Sequence, residues 1–277
     1  MIRPLTQVDV FTHTALRGNP LAVVHAAHGL SDAQMQAFAA WTNLSETSFL
    51  LPPQDPLADY RVRIYTPHRE LPFAGHPTLG SCHAWLEAGG TERTPGEVVQ
   101  ECAVGRVRIR RTTGRLAFAA PPRVRTGPLE PALLARIAGA LGIGAAAVLG
   151  HQWVDNGPGW CAVRLASADA VLALQPHWPA LHGLKLGVIG AHPPRAEAQF
   201  EVRALIGEGA GYEDPVTGSL NASLAQWLIG SGDAPEAYVA AQGTALGRSG
   251  RVFIERVDGQ VWVGGHSVSV IRGEVAL

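Results

Sequence analysis

Apolar and polar residues alternate in several short runs of the chain. The clearest runs are residues 60–65, 105–110 and 260–264, and the first ten residues, MIRPLTQVDV, also have the pattern of a strand. Successive side chains of a β-strand point to opposite faces, so alternation with a period of two predicts strands with one buried face. Because such runs outnumber the helical patterns, we expect strands to dominate the fold.

A helical pattern is clearest at residues 31–42. Ser31 and Gln34 have the spacing of a capping box, in which each side chain bonds to the backbone N–H of the other residue. One face of the predicted helix consists of Met35, Phe38, Ala39 and Thr42. Side chains three and four positions apart lie on the same side of a helix, so we expect this face to pack on a sheet.

The middle of the chain contains a stretch without any periodic pattern. Residues 119–131, AAPPRVRTGPLEP, include four prolines. This composition is typical of a linker between domains. The sequence therefore predicts an N-terminal half, residues 1–119, and a C-terminal half, residues 120–277.

Each half contains a strand, a polar turn and a helix of similar design. Shifting one half on the other by 142 positions aligns identical residues, which are Arg61 with Arg203, Ser81 with Ser223, Trp85 with Trp227, Leu86 with Leu228 and Gly90 with Gly232. A slip of one residue pairs Gly75 with Gly218 instead. A few identities at one offset also arise by chance, so an internal duplication is a hypothesis at this stage. If it holds, two similar domains flank a central cleft.

The charge composition limits the classes of partner. The 277 residues include 22 Lys plus Arg and 23 Asp plus Glu, a formal net charge of −1. Neither nucleic acid nor an anionic membrane is expected as a partner, because both attract strongly basic surfaces. The N-terminus lacks the pattern of a secretory signal, and four glycines interrupt the longest uncharged run, residues 137–154. We therefore expect a soluble, cytoplasmic protein that acts on small molecules.

The sequence offers no recognisable metal or cofactor motif. The three cysteines are Cys82, Cys102 and Cys161. Their odd number and wide spacing suit neither a disulfide framework nor paired zinc ligands, so we expect buried thiols. His76 and His83 have no acid or cysteine at ligand spacing, and residues 207–211 have the wrong spacing for a dinucleotide-binding fingerprint. Phosphate loops and Gly-x-Ser-x-Gly elbows are also missing, so we expect neither a metal nor a cofactor.

Two turns place small and polar residues in front of predicted helices. In residues 70–80, ELPFAGHPTLG, Pro77 is predicted at the first helical position, directly after Gly75 and His76. The corresponding residues of the second half are Thr217, Gly218 and Ser219. The first helical turn exposes unpaired N–H groups that bind carboxylates or phosphates, although the same residue types also serve as simple caps. Their occurrence in both halves favours an anion site.

Three titratable residues are candidates for proton transfer. Glu46 lies between an apolar helix and an apolar strand, where burial would raise the pKa of its carboxyl group towards the range useful for acid/base catalysis. The alternative is that Glu46 reaches solvent or caps a backbone group. Asp214 precedes a proline and could equally be a turn former. His76 could donate a hydrogen bond or transfer a proton at neutral pH.

Taken together, motifs along nearly the whole chain resemble the phenazine biosynthesis PhzF-like proteins, which have the diaminopimelate epimerase-like fold. The matching stretches are VDVF (8–11), GNPLAV (18–23), NLSET (43–47), ELPFAGHPT (70–78), EDPVTGS (213–219), QG (242–243), GR (247–248) and VGG (263–265). The resemblance implies an α+β fold of two pseudo-symmetric domains, each a curved mixed sheet or barrel around a central helix, with the site in the cleft between them. It also implies that residues from about 265 to 277 return to the first domain.

The resemblance also implies residue roles. Related racemases use two cysteines, but here Gly75 and the Thr217–Gly218 pair hold those places. The PhzF-like isomerases use a glutamate, which corresponds to Glu46, with support from His76, Asp214 and Ser219. Substrate binding is expected from Gly75, Gly218, Thr217 and Asn19.

The best-known reaction of the family is isomerisation of trans-2,3-dihydro-3-hydroxyanthranilate, a proton shift that gives an aminoketone on the way to phenazines. The function expected here is a cofactor-independent proton shift on a small unsaturated carboxylic acid, catalysed by a homodimer. One alternative is another epimerase or isomerase of amino or hydroxy acids. A second is a protein of the same fold that binds a small acid without catalysis.

Overall fold

The computed structural model describes residues 1–112 and 114–277, and in these ranges it contains 17 strands and five α-helices. The strands are β1 (Ile2–Val10), β2 (Asn19–Val24), β3 (Thr47–Leu51), β4 (Tyr60–Tyr65), β5 (Glu70–Leu71), β6 (Glu97–Cys102), β7 (Gly105–Thr112), β8 (Arg115–Ala119), β9 (Gly150–Trp153), β10 (Trp160–Leu165), β11 (Lys185–Ala191), β12 (Phe200–Ile206), β13 (Tyr212–Asp214), β14 (Ala237–Gln242), β15 (Gly250–Val257), β16 (Gln260–Gly265) and β17 (Ser267–Ala276). The helices are α1 (Asp32–Thr42), α2 (Gly75–Glu87), α3 (Pro131–Ala140), α4 (Ala168–Leu172) and α5 (Gly218–Gly230). Short 3₁₀ turns cover Ala145–Ala147, Trp178–Leu181 and Thr244–Leu246.

The predicted strands are confirmed at β1, β4, β7 and β16. Between β8 and α3 lies neither a helix nor a strand, as the proline-rich composition of residues 119–131 predicted. None of the helices in the two described ranges is long and apolar enough to cross a lipid bilayer.

The described residues divide into two compact units. The first unit comprises Met1–Ala119 and Gly264–Leu277, and the second unit comprises Ala120–Val263. In the first unit, β1 is antiparallel to both β2 and β17. Strand β2 is parallel to β3, β3 is antiparallel to β4, and β4 is antiparallel to β5 and parallel to β6. An antiparallel meander of β6, β7 and β8 follows.

The second unit repeats this scheme eight strands later. Strand β10 is antiparallel to β9 and parallel to β11, and β11 is antiparallel to β12. Strand β12 is antiparallel to β13 and parallel to β14, which is antiparallel to β15. Helix α2 connects β5 to β6 in the first unit, and α5 connects the corresponding strands β13 and β14 in the second unit. The two units therefore share one topology, as the duplication hypothesis predicts.

The register of the repeat differs between sheet and helix. Gln100 of β6 pairs with Tyr60 of β4, and Gln242 of β14 pairs with Val202 of β12, which is an offset of 142. Helices α2 and α5 have 13 residues each but begin 143 positions apart. The predicted alignment inside the helices is therefore wrong by one residue: Ser81 is the seventh residue of α2, whereas Ser223 is the sixth of α5. Relative to the first unit, the second unit has one more residue between its strand and α5 and one fewer residue between α5 and the next strand.

Helix α1 packs on the sheet of the first unit as its pattern predicted. Ser31 caps it, and the reciprocal bonds of the capping box with Gln34 are both present. Met35, Phe38 and Ala39 are buried, and the ring of Phe38 meets that of Phe49 edge-on at 6.3 Å between centroids. Thr42 is half-buried and its hydroxyl bonds to that of Thr47. The apolar face is therefore confirmed, with Thr42 at its margin.

Helices α2 and α5 are the most buried helices of their units. Helix α2 packs against β1, β2, β3, β6, β8 and β17. Its close approach to the sheet requires a glycine, because a Cβ on Gly80 would lie 2.6 Å from Leu21 Cδ2. In the second unit the glycine is on the sheet instead, where a Cβ on Gly187 would lie 2.6 Å from Leu220 Cδ1 of α5. Both helices are thus fixed closely against their sheets, and their N-termini are fixed with them.

Candidate active site

Helix α2 begins two residues earlier than predicted. Ala74 is the N-cap, Gly75 and His76 are the first two helical residues, and Pro77 is the third. The N–H of Thr78 makes the first helical bond, to the carbonyl of Ala74 at 3.2 Å. Proline is tolerated at the third position as well as the first, because no N–H in the first turn has a partner within the helix. The prediction that Pro77 starts the helix is therefore wrong, and Gly75 and His76 lie inside the first turn.

Helix α5 has the same arrangement at its N-terminus. Thr217 is the N-cap, Gly218 the first helical residue and Ser219 the second. Neither Ala74 nor Thr217 makes a side-chain cap to its helix, whereas Ser31 caps α1 in this way. The simple capping interpretation is therefore wrong for both turns. First-turn N–H groups without a side-chain cap are what an anion site at a helix N-terminus requires.

His76 lies in the first turn of α2 and is buried. Its Nδ1 is 3.4 Å from Nδ2 of Asn19, the first residue of β2, and its Nε2 is 3.5 Å from Oε2 of Glu46. Burial lowers the pKa of His76 to about 3, so the ring is neutral at physiological pH. The positive end of the helix dipole acts in the same direction. An amide NH₂ group is a donor, so Nδ1 accepts and Nε2 carries the proton, at 3.5 Å from Oε2 of Glu46.

Glu46 lies immediately before β3. Strands β2 and β3 are parallel, with Ala22 opposite Thr47, so the starts of both strands lie at one edge of the sheet. This edge brings Asn19 and Glu46 to the N-terminus of α2. The side chain of Glu46 is 17% exposed. The side chain of Glu46 is thus neither fully buried nor a surface group.

The second unit has a hydrogen-bond network around the first turn of α5. The Thr217 hydroxyl donates to Oδ2 of buried Asp214 at 2.5 Å. Gln242 Oε1 accepts from the Thr217 N–H at 3.0 Å and from Asn221 Nδ2 at 2.8 Å. Gln242 Nε2 donates to the Asp214 carbonyl at 3.1 Å and to Thr217 Oγ1 at 3.0 Å. Both polar atoms of the Gln242 side chain therefore hold this turn.

Ser219 is half-buried and is held by Asn156 of the loop before β10 and by Trp160, the first residue of β10. Its Oγ lies 3.0 Å from Nε1 of Trp160, and its carbonyl accepts from Asn156 Nδ2 at 2.9 Å. Trp160, Asn156 and Gln242 are site residues that were not predicted from the sequence. Only Gln242 had a signal in the sequence, since it belongs to one of the motifs on which the family resemblance rests.

The eight predicted site residues fall into two groups, one in each unit. The first unit brings together Asn19, Glu46, Gly75 and His76. The second unit brings together Asp214, Thr217, Gly218 and Ser219. Asn19 was expected to bind substrate, and its amide lies against the His76 ring; its contact with substrate stays a prediction.

The cysteines lie outside both groups. All three are free and buried, as predicted, and burial raises the pKa of Cys161 to about 12. A thiol that stays protonated is a poor base or nucleophile. In residues 1–112 and 114–277 there is also no group of three or more His, Cys, Asp or Glu side chains arranged to hold a metal ion.

Comparisons with known proteins agree with this architecture. The family model for phenazine biosynthesis-like protein, PhzC-PhzF, matches residues 8–273. A Schizosaccharomyces pombe protein named Antisense-enhancing sequence 1 is 33% identical over 288 residues, covering 97% of each chain. The trans-2,3-dihydro-3-hydroxyanthranilate isomerase of Pseudomonas fluorescens is 31% identical over 283 residues, covering 98% of each chain. A crystal structure of a PhzF-family protein from Enterococcus faecalis superposes with a TM-score of 0.83 at 24% identity, covering 100% of both chains.

The predicted α+β fold is confirmed by this superposition, and the relatives define the class of protein as an isomerase. The chain belongs to the phenazine biosynthesis-like protein family, since the family model matches it almost from end to end. The family resemblance inferred from the sequence motifs is thereby confirmed.

Proposed function

We propose that the protein is a cofactor-independent isomerase that relocates a proton on a small unsaturated carboxylic acid, with Glu46 as general acid and base. The observation that carries the proposal is the Glu46–His76 pair, in which the carboxylate lies 3.5 Å from the ring of a buried, neutral histidine. The substrate proposed first is trans-2,3-dihydro-3-hydroxyanthranilate, on which a relative with 31% identity is named to act.

In the proposed reaction Glu46 breaks one C–H bond and forms another. The ionised carboxylate takes the proton, the electron pair moves into the system conjugated with the substrate carboxylate, and Glu46 returns the proton to a different carbon. Neutral His76 is suited to donate its Nε2–H to Glu46 while the carboxylate is charged. Because His76 is not charged, it does not hold the carboxylate in an ion pair that would weaken it as a base.

Ser219 and the first-turn amides bind the substrate carboxylate in this proposal. Negative charge grows on the conjugated carboxylate as the proton leaves, and donors fixed in advance stabilise it without reorganisation. Gly75 and Gly218, each the first residue of its helix, allow close approach to the backbone. Asp214 accepts a hydrogen bond from the hydroxyl of Thr217 and so fixes the N-cap of α5.

The test is proton NMR in D₂O with a panel of small carboxylic acids that includes trans-2,3-dihydro-3-hydroxyanthranilate. New products and deuterium at C–H positions are both scored, because an internal proton shift need not exchange with solvent. Glu46→Gln should lower turnover by about 10²–10⁴-fold, the usual contribution of a general acid or base. It should leave acid binding and the free energy of unfolding nearly unchanged.

The matched control is Glu97→Gln, which removes a carboxylate on β6 that pairs with Arg108. This variant should keep full turnover. Product formation by Glu46→Gln at the wild-type rate would exclude Glu46 as the base. If a folded wild-type protein is stabilised by one of the acids but makes no product, the function is binding without catalysis. The homodimer and the cytoplasmic location stay predictions.

A further inference from the structure

The contact between Trp160 and Ser219 fixes the direction of a hydroxyl hydrogen. An indole N–H is a donor and has no acceptor function. At 3.0 Å between Nε1 and Oγ, Ser219 must therefore accept from Trp160. The hydrogen of the Ser219 hydroxyl is then directed to a different acceptor. Trp160 is only 2% exposed, so solvent does not compete for its N–H.

An equivalent side-chain contact occurs in the first unit, between different residue types. Trp160 is the first residue of β10 and Ser219 the second residue of α5, whereas Asn19 is the first residue of β2 and His76 the second residue of α2. In each unit the first residue of the strand directs a side-chain N–H at the second residue of the helix. Because Asn19 and Trp160 are the donors in these contacts, the Nε2–H of His76 and the O–H of Ser219 are left to donate to other acceptors.

The loop before β10 is built to hold this contact in place. Oδ1 of Asp155 accepts the N–H groups of Gly157 at 2.8 Å and Gly159 at 2.6 Å, which closes the loop on itself. Gly157 and Gly159 have φ of +127° and +95°, conformations that strongly favour glycine. The closed loop carries Asn156, which donates to the Ser219 carbonyl, and leads directly into Trp160, which donates to the Ser219 hydroxyl. Ser219 is therefore held at two points by one short segment.

We infer that Trp160 is a positioning residue, which holds the Ser219 hydroxyl so that its hydrogen points at the substrate carboxylate. The inference rests on the role of Ser219 in the proposed function. Trp160 is the counterpart of Asn19, and both act on a reacting or binding group through one hydrogen bond. Without the indole N–H, Ser219 can turn its hydrogen away from the substrate.

The kinetic test uses Trp160→Phe, Ser219→Ala and the double variant. Loss of the indole N–H should raise KM for the substrate by about 10–100-fold, the range expected for one lost hydrogen bond to a charged group. It should also lower kcat, but by less than Glu46→Gln does, because the base is untouched and only one donor to the growing negative charge is lost. In the Ser219→Ala background, Trp160→Phe should have almost no further effect, since residues that act as a unit are not additive.

Trp153→Phe is the matched control for the loss of an indole N–H. Trp153 lies on β9, opposite Cys161, and its Nε1 faces Glu130 at 3.4 Å. This variant should leave KM unchanged. Equal effects of Trp153→Phe and Trp160→Phe, or an undiminished effect of Trp160→Phe in the Ser219→Ala background, would overturn the inference.

A second measurement does not depend on knowing the substrate or on the folding of the Trp160 variant. The protein is labelled with ¹⁵N at the indole nitrogens of its seven tryptophans, and the signals are assigned with the tryptophan-to-phenylalanine variants that fold. In Ser219→Ala one indole N–H signal should move upfield and exchange faster with solvent, because it loses its acceptor. If all seven signals stay in place, the inference is wrong. If the signal moves but wild type converts no acid, the positioning contact stands and the proposed function fails.

Discussion

The first turns of α2 and α5 have the same backbone arrangement and different side chains. In both, a glycine is the first helical residue, no side chain caps the turn, and a buried glutamine of the neighbouring strand reaches a threonine. The second helical residue is a neutral histidine beside Glu46 in the first unit and a serine in the second. Both units thus have an uncapped helix N-terminus. In the proposed function, the side chain of the second helical residue assists proton transfer in the first unit and anion binding in the second.

The two glutamines hold their turns with unequal numbers of bonds. Gln242 makes four hydrogen bonds, whereas Gln100 accepts from the Tyr60 hydroxyl and donates to Thr78 Oγ1. A buried group left unsatisfied costs about 1–3 kcal/mol, so Gln242→Met should lower the free energy of unfolding by about 3–5 kcal/mol and Gln100→Met by about 1–3 kcal/mol. Urea unfolding followed by tryptophan fluorescence measures both. Equal losses would mean that the turns are not held differently.

The neutral histidine should make stability depend on pH. Burial lowers the pKa of His76 to about 3, so between this value and about 6.5 the unfolded chain binds a proton that the folded protein does not. Stability from this residue is complete above about pH 6.5 and is lost as the pH falls towards 3. Between pH 7.5 and pH 5 the loss should be about 2 kcal/mol.

His76→Gln should remove this part of the pH dependence, measured as urea unfolding at both pH values. His68→Gln, which replaces an exposed histidine in the same unit, is the control and should keep the wild-type dependence. A wild-type slope in His76→Gln would show that His76 is not buried in its neutral form. Ser219, the counterpart of His76, contributes no such dependence.

The two threonines bridge their glutamines to different acceptors. Thr217 donates to the carboxylate of Asp214 at 2.5 Å, and Thr78 donates to the carbonyl of Ala74 at 2.9 Å. Hydrogen bonds to charged groups contribute about 1.5–3 kcal/mol and neutral ones about 1 kcal/mol, so Thr217→Val should be the more destabilising of the two isosteric changes. Chemical unfolding of Thr217→Val and Thr78→Val decides it. The reverse order would indicate that Asp214 is held by other groups.

The smallest effect is expected from capping an open turn. Ala74→Ser places a hydroxyl at the N-cap of α2, where it can bond only to the His76 N–H, because Pro77 has none. The variant should be stabilised by up to about 1 kcal/mol and should bind the substrate acid more weakly. Ser31→Ala, at the capped helix α1, should lose about 1 kcal/mol of stability without affecting acid binding. Unchanged acid affinity in Ala74→Ser would argue against this turn as an anion site.

Local features of the fold could be predicted from the sequence alone. The alternation at residues 60–65 gave a strand with these bounds, and the Ser31–Gln34 pair marked the start of α1, because both patterns depend on neighbouring residues. The start of α2 was misplaced since proline suits several positions of a first turn. The predicted pairing of Gly75 with Gly218, at an offset of 143, is correct, because both residues begin their helices. The predicted pairings inside the helices used an offset of 142, and those identical residues do not occupy equivalent helical positions.

The candidate site was only partly predictable. Glu46, His76, Asp214 and Ser219 came from the family resemblance, and local sequence left each of them with an ordinary alternative. The contacts of Trp160 with Ser219 and of Gln242 with Thr217 join residues 59 and 25 positions apart. Such contacts depend on strand register and on where a helix begins, and no local pattern reports either.

The position of β17 in the chain has a consequence for the order of folding. The second unit is one continuous segment, whereas the first unit is completed by β17, which pairs along its length with β1 at the other end of the chain. During synthesis, β17 is therefore not available to pair with β1 until more than 260 residues have been made. The second unit can reach its native pairing first, and β1 is an exposed sheet edge in the meantime. The synthesis of β17, and not the synthesis of the first 119 residues, therefore sets the moment at which β1 can complete its pairing.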